Sequence, residues 1–252
     1  MPGCSASSLK ARLTEVIPSW RPVQEVLEAL FPGRCLQCGE WLFLAGDPSI
    51  PLCEECREGI RPLSGTRCER CGIGLISERG TCLRCRTADF SFDSNVSLFS
   101  YGGLPKRLLA ALKFRGRVRI APFFAEYVAD ALKKLSPDGA VVVPAPPRRG
   151  RRSPDAVELV VRALESCHEV SILRALSRAG VVQQKSLDYK QRRENLKGMI
   201  SLSPGALPEE IPAEVFLLDD VFTTGATLDA CARTLRNAGC RSVKAITLVI
   251  EE

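Results

Sequence analysis

The chain has 252 residues, of which 45% are hydrophobic, so it is long enough to bury a core and too apolar to be a disordered protein. Thirty-five basic residues against 29 acidic ones give a net charge of +6, a mild excess compatible with phosphate-bearing or nucleic-acid ligands. No apolar run is long enough to span a bilayer, and Met1-Pro2-Gly3-Cys4 does not open a secretory signal, so a cytoplasmic chain without membrane insertion is expected.

Residues 9–30 carry a weak helical pattern of apolar positions, which predicts an N-terminal helical segment over 1–30. The stretch 31–90 differs: it is rich in Cys, Gly, Pro and Arg and has little apolar periodicity. Such a segment cannot bury much of a core, so a metal must substitute for one. Eight of the 12 cysteines fall here as four Cys-x-x-Cys pairs: Cys35 and Cys38, Cys53 and Cys56, Cys68 and Cys71, Cys82 and Cys85. Two intervening residues let both sulfurs of one tight turn face a single ion. Gly39 and Gly72 each follow a pair, where such a turn needs positive φ. Four thiolates close a tetrahedral Zn²⁺ shell with no open position, which makes the sites structural. Free thiols, disulfides and Fe–S ligation are the alternatives. Two consecutive Cys4 sites are expected, with a cross-braced pairing as the rival. Arg34, Arg67, Arg70 and Arg84 stand close enough in sequence to offset thiolate charge.

Beyond residue 90 the pattern becomes that of alternating strands and helices. Strands are predicted over 96–101, 140–143, 170–173, 215–218 and 242–250, and helices over 104–114, 121–135, 155–165 and 226–238. Ser153 or Asp155 is the candidate cap of the third helix. Residues 177–198 are polar and basic and read as a long loop or arm. The alternation defines an α/β fold with a mostly parallel sheet flanked by helices, over 91–252. Lys106, Arg107, Lys113, Arg115, Arg117 and Arg119 form an acid-free stretch across the first helix and the loop after it. The only histidine, His168, follows a predicted helix and lies far from the cysteines.

The most informative segment is an apolar strand, then Asp219 and Asp220, then a small hydroxyl-rich turn of Thr223, Thr224, Gly225, Ala226 and Thr227, then a helix. In open α/β sheets, ligands bind beyond the carboxyl ends of strands. The turn supplies backbone N–H groups, hydroxyls and a glycine, and the helix directs its positive dipole end to the same spot. This is a monophosphate cradle, without the Gly-x-x-x-x-Gly-Lys pattern of an ATP-binding P-loop. Paired carboxylates beside a phosphate repel it unless they meet hydroxyls or a metal, and vicinal ribose hydroxyls with Mg²⁺ nearby satisfy that requirement.

The segment resembles the phosphoribosylpyrophosphate-binding motif of type I phosphoribosyltransferases. The resemblance implies that Asp219 and Asp220 hold the ribose hydroxyls and act in catalysis, and that the turn from Thr223 to Thr227 holds the 5′-phosphate. Cysteine pairs ahead of such a domain are similar to the ComF family, with its double zinc ribbon at 31–90 and its association with DNA uptake in natural transformation. The likeness covers about 31–249 and includes Tyr101-Gly-Gly-Leu104, Leu112-Lys113-Phe114-Arg115-Gly116, Gln184-Lys-Ser-Leu187 and Arg193-Glu-Asn195-Leu-Lys-Gly198. One segment departs. The family's Pro-x-Pro strand end continues into an Arg-rich loop and a Gly-Phe-Asn-Gln stretch. Here Pro144-Ala-Pro146-Pro-Arg148-Arg149-Gly150-Arg151-Arg152 runs directly into Ser153-Pro154-Asp155.

On this reading an enzyme would bind phosphoribosylpyrophosphate with Mg²⁺. Arg148, Arg149, Arg151 and Arg152 would face the leaving pyrophosphate, and Lys185, Arg192 and Arg193 would close over the site from the arm. A second reading is an adaptor without turnover, holding a ribose phosphate or single-stranded DNA and meeting a DNA-uptake helicase. A third, nucleobase salvage, leaves the cysteine module without a use.

Overall fold

The computed structural model describes residues 33–42, 51–76, 80–147, 155–179 and 199–252. The expected N-terminal helix lies outside these residues. So do Arg148, Arg149, Arg151, Arg152, Lys185, Arg192 and Arg193, and with them the two loops proposed to face or cover a pyrophosphate.

Five parallel strands form the central sheet in the order β3-β9-β8-β4-β5: β3 Ser94–Ser100, β4 Val141–Pro144, β5 Ser171–Ile172, β8 Glu214–Phe222 and β9 Ser242–Ile250. The apolar run Val215, Phe216, Leu217 and Leu218 is buried on both faces, as a central parallel strand requires. Four α-helices among the described residues flank it: α3 Gly103–Phe114, α4 Ala121–Leu135, α5 Ala156–Cys167 and α6 Ala226–Asn237. Asp155 caps α5, its carboxylate accepting the N–H groups of Val157 at 3.0 Å and Glu158 at 3.3 Å.

Successive side chains of a strand point to opposite faces. Accordingly Phe216 and Leu218 join a core with α3, α4 and α5, while Val215 and Leu217 join another with α6. Registers such as Ser100 with Ile250 and Phe222 with Ile250 align the carboxyl ends of β3, β9 and β8 at one edge, where the turns into α3 and α6 emerge. Outside this sheet, β6 Leu176–Arg178 and β7 Ile200–Leu202 form an antiparallel pair, so the expected loop over 177–198 begins in a strand.

The cysteine-rich segments dock on opposite faces of the sheet. In the first, β1 Gly33–Arg34 pairs with β2 Trp41–Leu42, and α1 Glu54–Glu58 carries the second cysteine pair. Cys35, Leu52 and Ile60 enter the core that contains α3 and α4. In the second, α2 Leu83–Thr87 carries the last cysteine, and all four thiols join the core that contains α6. The connection between them runs along the edge strand, with Leu63 N–H donating to the Leu98 carbonyl at 2.8 Å. Farther along, Asn95 Nδ2 donates to the Cys71 carbonyl at 3.0 Å. An exposed sheet edge is thereby covered. Gly72, at φ +79°, makes this docking possible: a Cβ there would lie 2.7 Å from the Asn95 carbonyl oxygen.

Candidate functional site

The strand carrying the two acids is longer than its apolar run suggests. β8 continues through Phe222, so Asp219 and Asp220 lie within the ladder, Asp219 in register with Thr247 of β9. As neighbours on a strand they point to opposite sides. Asp220 Oδ2 accepts an ion pair from Lys113 Nζ, in the last turn of α3, at 2.6 Å. Asp219 Oδ1 accepts the Asp220 backbone N–H at 2.8 Å. Burial, then the Asp220 charge, push the Asp219 carboxyl up to about 7, against the opposing pull of the Asp220 N–H, Lys113 and the buried Arg178 of β6. Cys231, buried on α6, is pushed up by burial and by the same Asp219.

Gly225 forms the pivot of the turn that follows. Its φ of +77° is left-handed, and it caps α6, its carbonyl accepting the Asp229 N–H at 2.8 Å. A Cβ there would stand 3.0 Å from Phe222 Cζ and 3.2 Å from Phe90 Cε1, so both the conformation and the space call for glycine. Thr224 Oγ1 accepts the Ala226 N–H at 3.3 Å. Gly225 and Ala226 are buried, while Thr223, Thr224 and Thr227 are partly exposed at the positive end of a 12-residue helix. The order expected from the sequence, acids and then a hydroxyl-rich turn opening a helix, is therefore present at the carboxyl edge of the sheet.

Two contributors were not legible as site residues. Lys113 belongs to the acid-free stretch, yet it meets Asp220. Its neighbours make contacts of their own: Lys106 lies 4.9 Å over the Tyr101 ring, and Arg107 donates to the Leu36 carbonyl at 3.1 Å. Arg115, Arg117 and Arg119 are exposed, beside a Phe114 that is 69% exposed. Arg178 falls at the beginning of the expected arm and instead lies buried in a strand.

The thiols gather as two consecutive sets, Cys35, Cys38, Cys53 and Cys56, then Cys68, Cys71, Cys82 and Cys85, the sulfurs of each within 4.8 Å of one another. This settles the choice against cross-bracing. Cys38 and Cys53 Sγ are 3.7 Å apart, and Cys71 and Cys82 Sγ 3.8 Å. A tetrahedron with Zn–S bonds of about 2.3 Å has an edge of roughly 3.8 Å, whereas a disulfide requires about 2.0 Å. Backbone N–H groups support the sulfurs, Gln37 to Cys35 at 3.4 Å and Cys82 to Cys68 at 3.3 Å. Gly39 and Gly72 both take φ of +79° after their pairs. The donor set fits structural zinc. No helix among the described residues is long and apolar enough to cross a membrane.

The fold and these sites define a protein with zinc-ribbon modules docked on a phosphoribosyltransferase-type α/β domain. Comparison with known families agrees: residues 26–86 match the double zinc ribbon domain and residues 127–251 the phosphoribosyl transferase domain. The chain is 27% identical over 231 residues to competence protein ComFC of Streptococcus pneumoniae, covering 86% of this chain and 99% of that one. It is 27% identical over 225 residues to competence protein F of Haemophilus influenzae, covering 85% and 95%. A hypoxanthine phosphoribosyltransferase from Staphylococcus aureus overlaps 52% of this chain and 62% of its own, at 14% identity and a TM-score of 0.34. The chain is a ComF-like protein, a double zinc ribbon joined to a phosphoribosyl transferase domain.

Proposed function

We propose that this protein binds phosphoribosylpyrophosphate, or a related ribose 5-phosphate, and acts in DNA uptake during natural transformation. The observation that carries the ligand is the passage from Asp219 and Asp220 into the Gly225-centred turn at the start of α6. The turn offers backbone N–H groups, threonine hydroxyls and a helix dipole to a 5′-phosphate. The acids offer charged acceptors to the ribose hydroxyls. The competence role comes from the ComFC and competence protein F relatives, which match most of the chain.

Mg²⁺ suits this donor set. A carboxylate whose pKa is raised by burial and by a neighbouring acid gains from a hard cation, and Asp219 would help hold it, since Asp220 points the other way to Lys113. It would neutralise charge on a departing pyrophosphate. In turnover, the bond from ribose C1 to the pyrophosphate oxygen breaks with its electron pair leaving on pyrophosphate. A nitrogen nucleophile forms the new bond to C1 and loses its proton to solvent. The chain's part is to hold ribose and 5′-phosphate fixed while charge shifts. Incubation with phosphoribosylpyrophosphate, Mg²⁺ and nitrogen acceptors, following pyrophosphate release, tests this. Release that requires an acceptor supports a transferase, and none with any acceptor supports a binding protein.

One observation favours the adaptor reading. Phe114, Arg115 and Arg117 are exposed together, and an aromatic ring beside cations is the usual platform for a single-stranded nucleic acid. Such a chain would act in a reducing cytoplasm and hand DNA to a helicase partner. Salt-dependent binding of a single-stranded oligonucleotide tests it.

A further inference from the structure

The second cysteine cluster lies beneath the site. Each of its knuckles, Cys68-Glu-Arg-Cys71 and Cys82-Leu-Arg-Cys85, places an arginine just before the second cysteine. Both arginines reach beyond their own knuckles. Arg84 Nη1 donates to the Thr223 carbonyl at 3.2 Å, and its guanidinium carbon lies 5.6 Å from the centre of the Phe222 ring. Arg70 donates to the Phe90 carbonyl. Phe222 and Phe90 are the two rings against which Gly225 is packed. The four thiols and both rings belong to one core. At the same positions of the first cluster stand Gln37 and Glu55, which have no guanidinium to extend.

We infer that Arg84 is a positioning residue for the 223–227 turn, and that the second metal knuckle and this turn form one cooperative unit. A carbonyl held by a guanidinium fixes the peptide that opens the turn, and the rings below fix its pivot. The conformation of the knuckle depends on its four sulfurs being drawn together, so a metal that closes it also orders the turn. Linkage is reciprocal: a ligand seated in the turn stabilises the knuckle. The ligand half of this inference rests on reading the turn as a phosphate cradle. The hold of Arg84 on the turn does not.

The test uses the full chain with Arg84→Met, which keeps the stem over Phe222 and removes the donor, and Arg84→Lys, which restores a cation. Zinc content should stay at the wild-type value in both. Backbone hydrogen exchange over 223–228 in the ligand-free Met variant should quicken about tenfold, and affinity for ribose 5-phosphate should fall about tenfold, with partial recovery in the Lys variant. Unchanged exchange in the Met variant overturns the positioning role. A second measurement needs no variant: zinc loss from wild-type protein to a colorimetric chelator. Saturating ribose 5-phosphate should slow the loss of one zinc and leave the other unaffected, and two unaffected rates overturn the linkage. If the wild type binds no ribose 5-phosphate, the cradle reading fails, and the exchange comparison still decides the role of Arg84.

Discussion

Lys113 Nζ lies 2.6 Å from Asp220 Oδ2, joining the last turn of α3 to the acid pair of β8. Both side chains are mostly buried, so the partner left behind by a substitution keeps an uncompensated charge. Lys113→Met should lower the melting temperature, and adding Asp220→Asn should recover part of the loss. A double-mutant cycle should give a coupling of about 1 kcal/mol or more. Additive single losses would mean the pair contributes nothing to stability.

The raised Asp219 carboxyl predicts a pH dependence of definite sign. A folded-state pKa of about 7 means the folded chain binds this proton more tightly than the unfolded chain. The contribution is present below the unfolded value of about 4 and is lost as pH rises towards 7. A side-chain amide cannot titrate, so the Asp219→Asn variant should gain on the wild type in melting temperature between pH 5 and pH 8. A constant difference across that range would show that Asp219 titrates normally.

The metal clusters should respond unequally to loss of a ligand. Cys53 is partly exposed in the first cluster, whereas Cys71 is fully buried in the core shared with α6. Structural zinc supplies about 10–16 kcal/mol of apparent binding energy in isolated fingers. Wild-type protein should carry two zinc ions and Cys53→Ser one, with the α/β domain melting near its usual temperature. Cys71→Ser should also lose one and destabilise the whole domain. Elemental analysis beside calorimetric melts separates the two, and equal melting of both variants would contradict the unequal docking.

Contacts within the fold reduce the basic stretch to a smaller candidate surface. Lys106, Arg107 and Lys113 contact Tyr101, Leu36 and Asp220, and Arg115, Arg117 and Arg119 are the exposed cations that follow Phe114. Arg115→Glu with Arg117→Glu should weaken single-stranded DNA binding at low salt and flatten its salt dependence. Binding equal to the wild type would make this face merely solvated.

Much of the fold was readable because its signals are local. The cysteine spacing, the buried run of β8 and the Asp155 cap each depend on residues within one turn or strand. The acid pair and its turn were readable for the same reason. What escaped depends on tertiary placement. Lys113 looks like one cation among six until α3 is packed beside β8. Arg178 sits in a polar stretch that reads as loop, and pairing of β6 with β7 buries it. Arg70 and Arg84 look like counter-charges for nearby thiolates, and docking of the second cluster turns them toward the site.

Titration calorimetry with phosphoribosylpyrophosphate and Mg²⁺ decides whether Asp219, Asp220 and the 223–227 turn hold a ribose 5-phosphate. Asp219→Asn and Asp220→Asn keep shape while removing charge. Charge-assisted hydrogen bonds contribute roughly 1.5–3 kcal/mol each, so affinity should fall about tenfold or more per substitution while the fold is retained. Wild-type protein that takes up no heat of binding at about millimolar ligand, or Asn variants that bind as the wild type does, would contradict the claim.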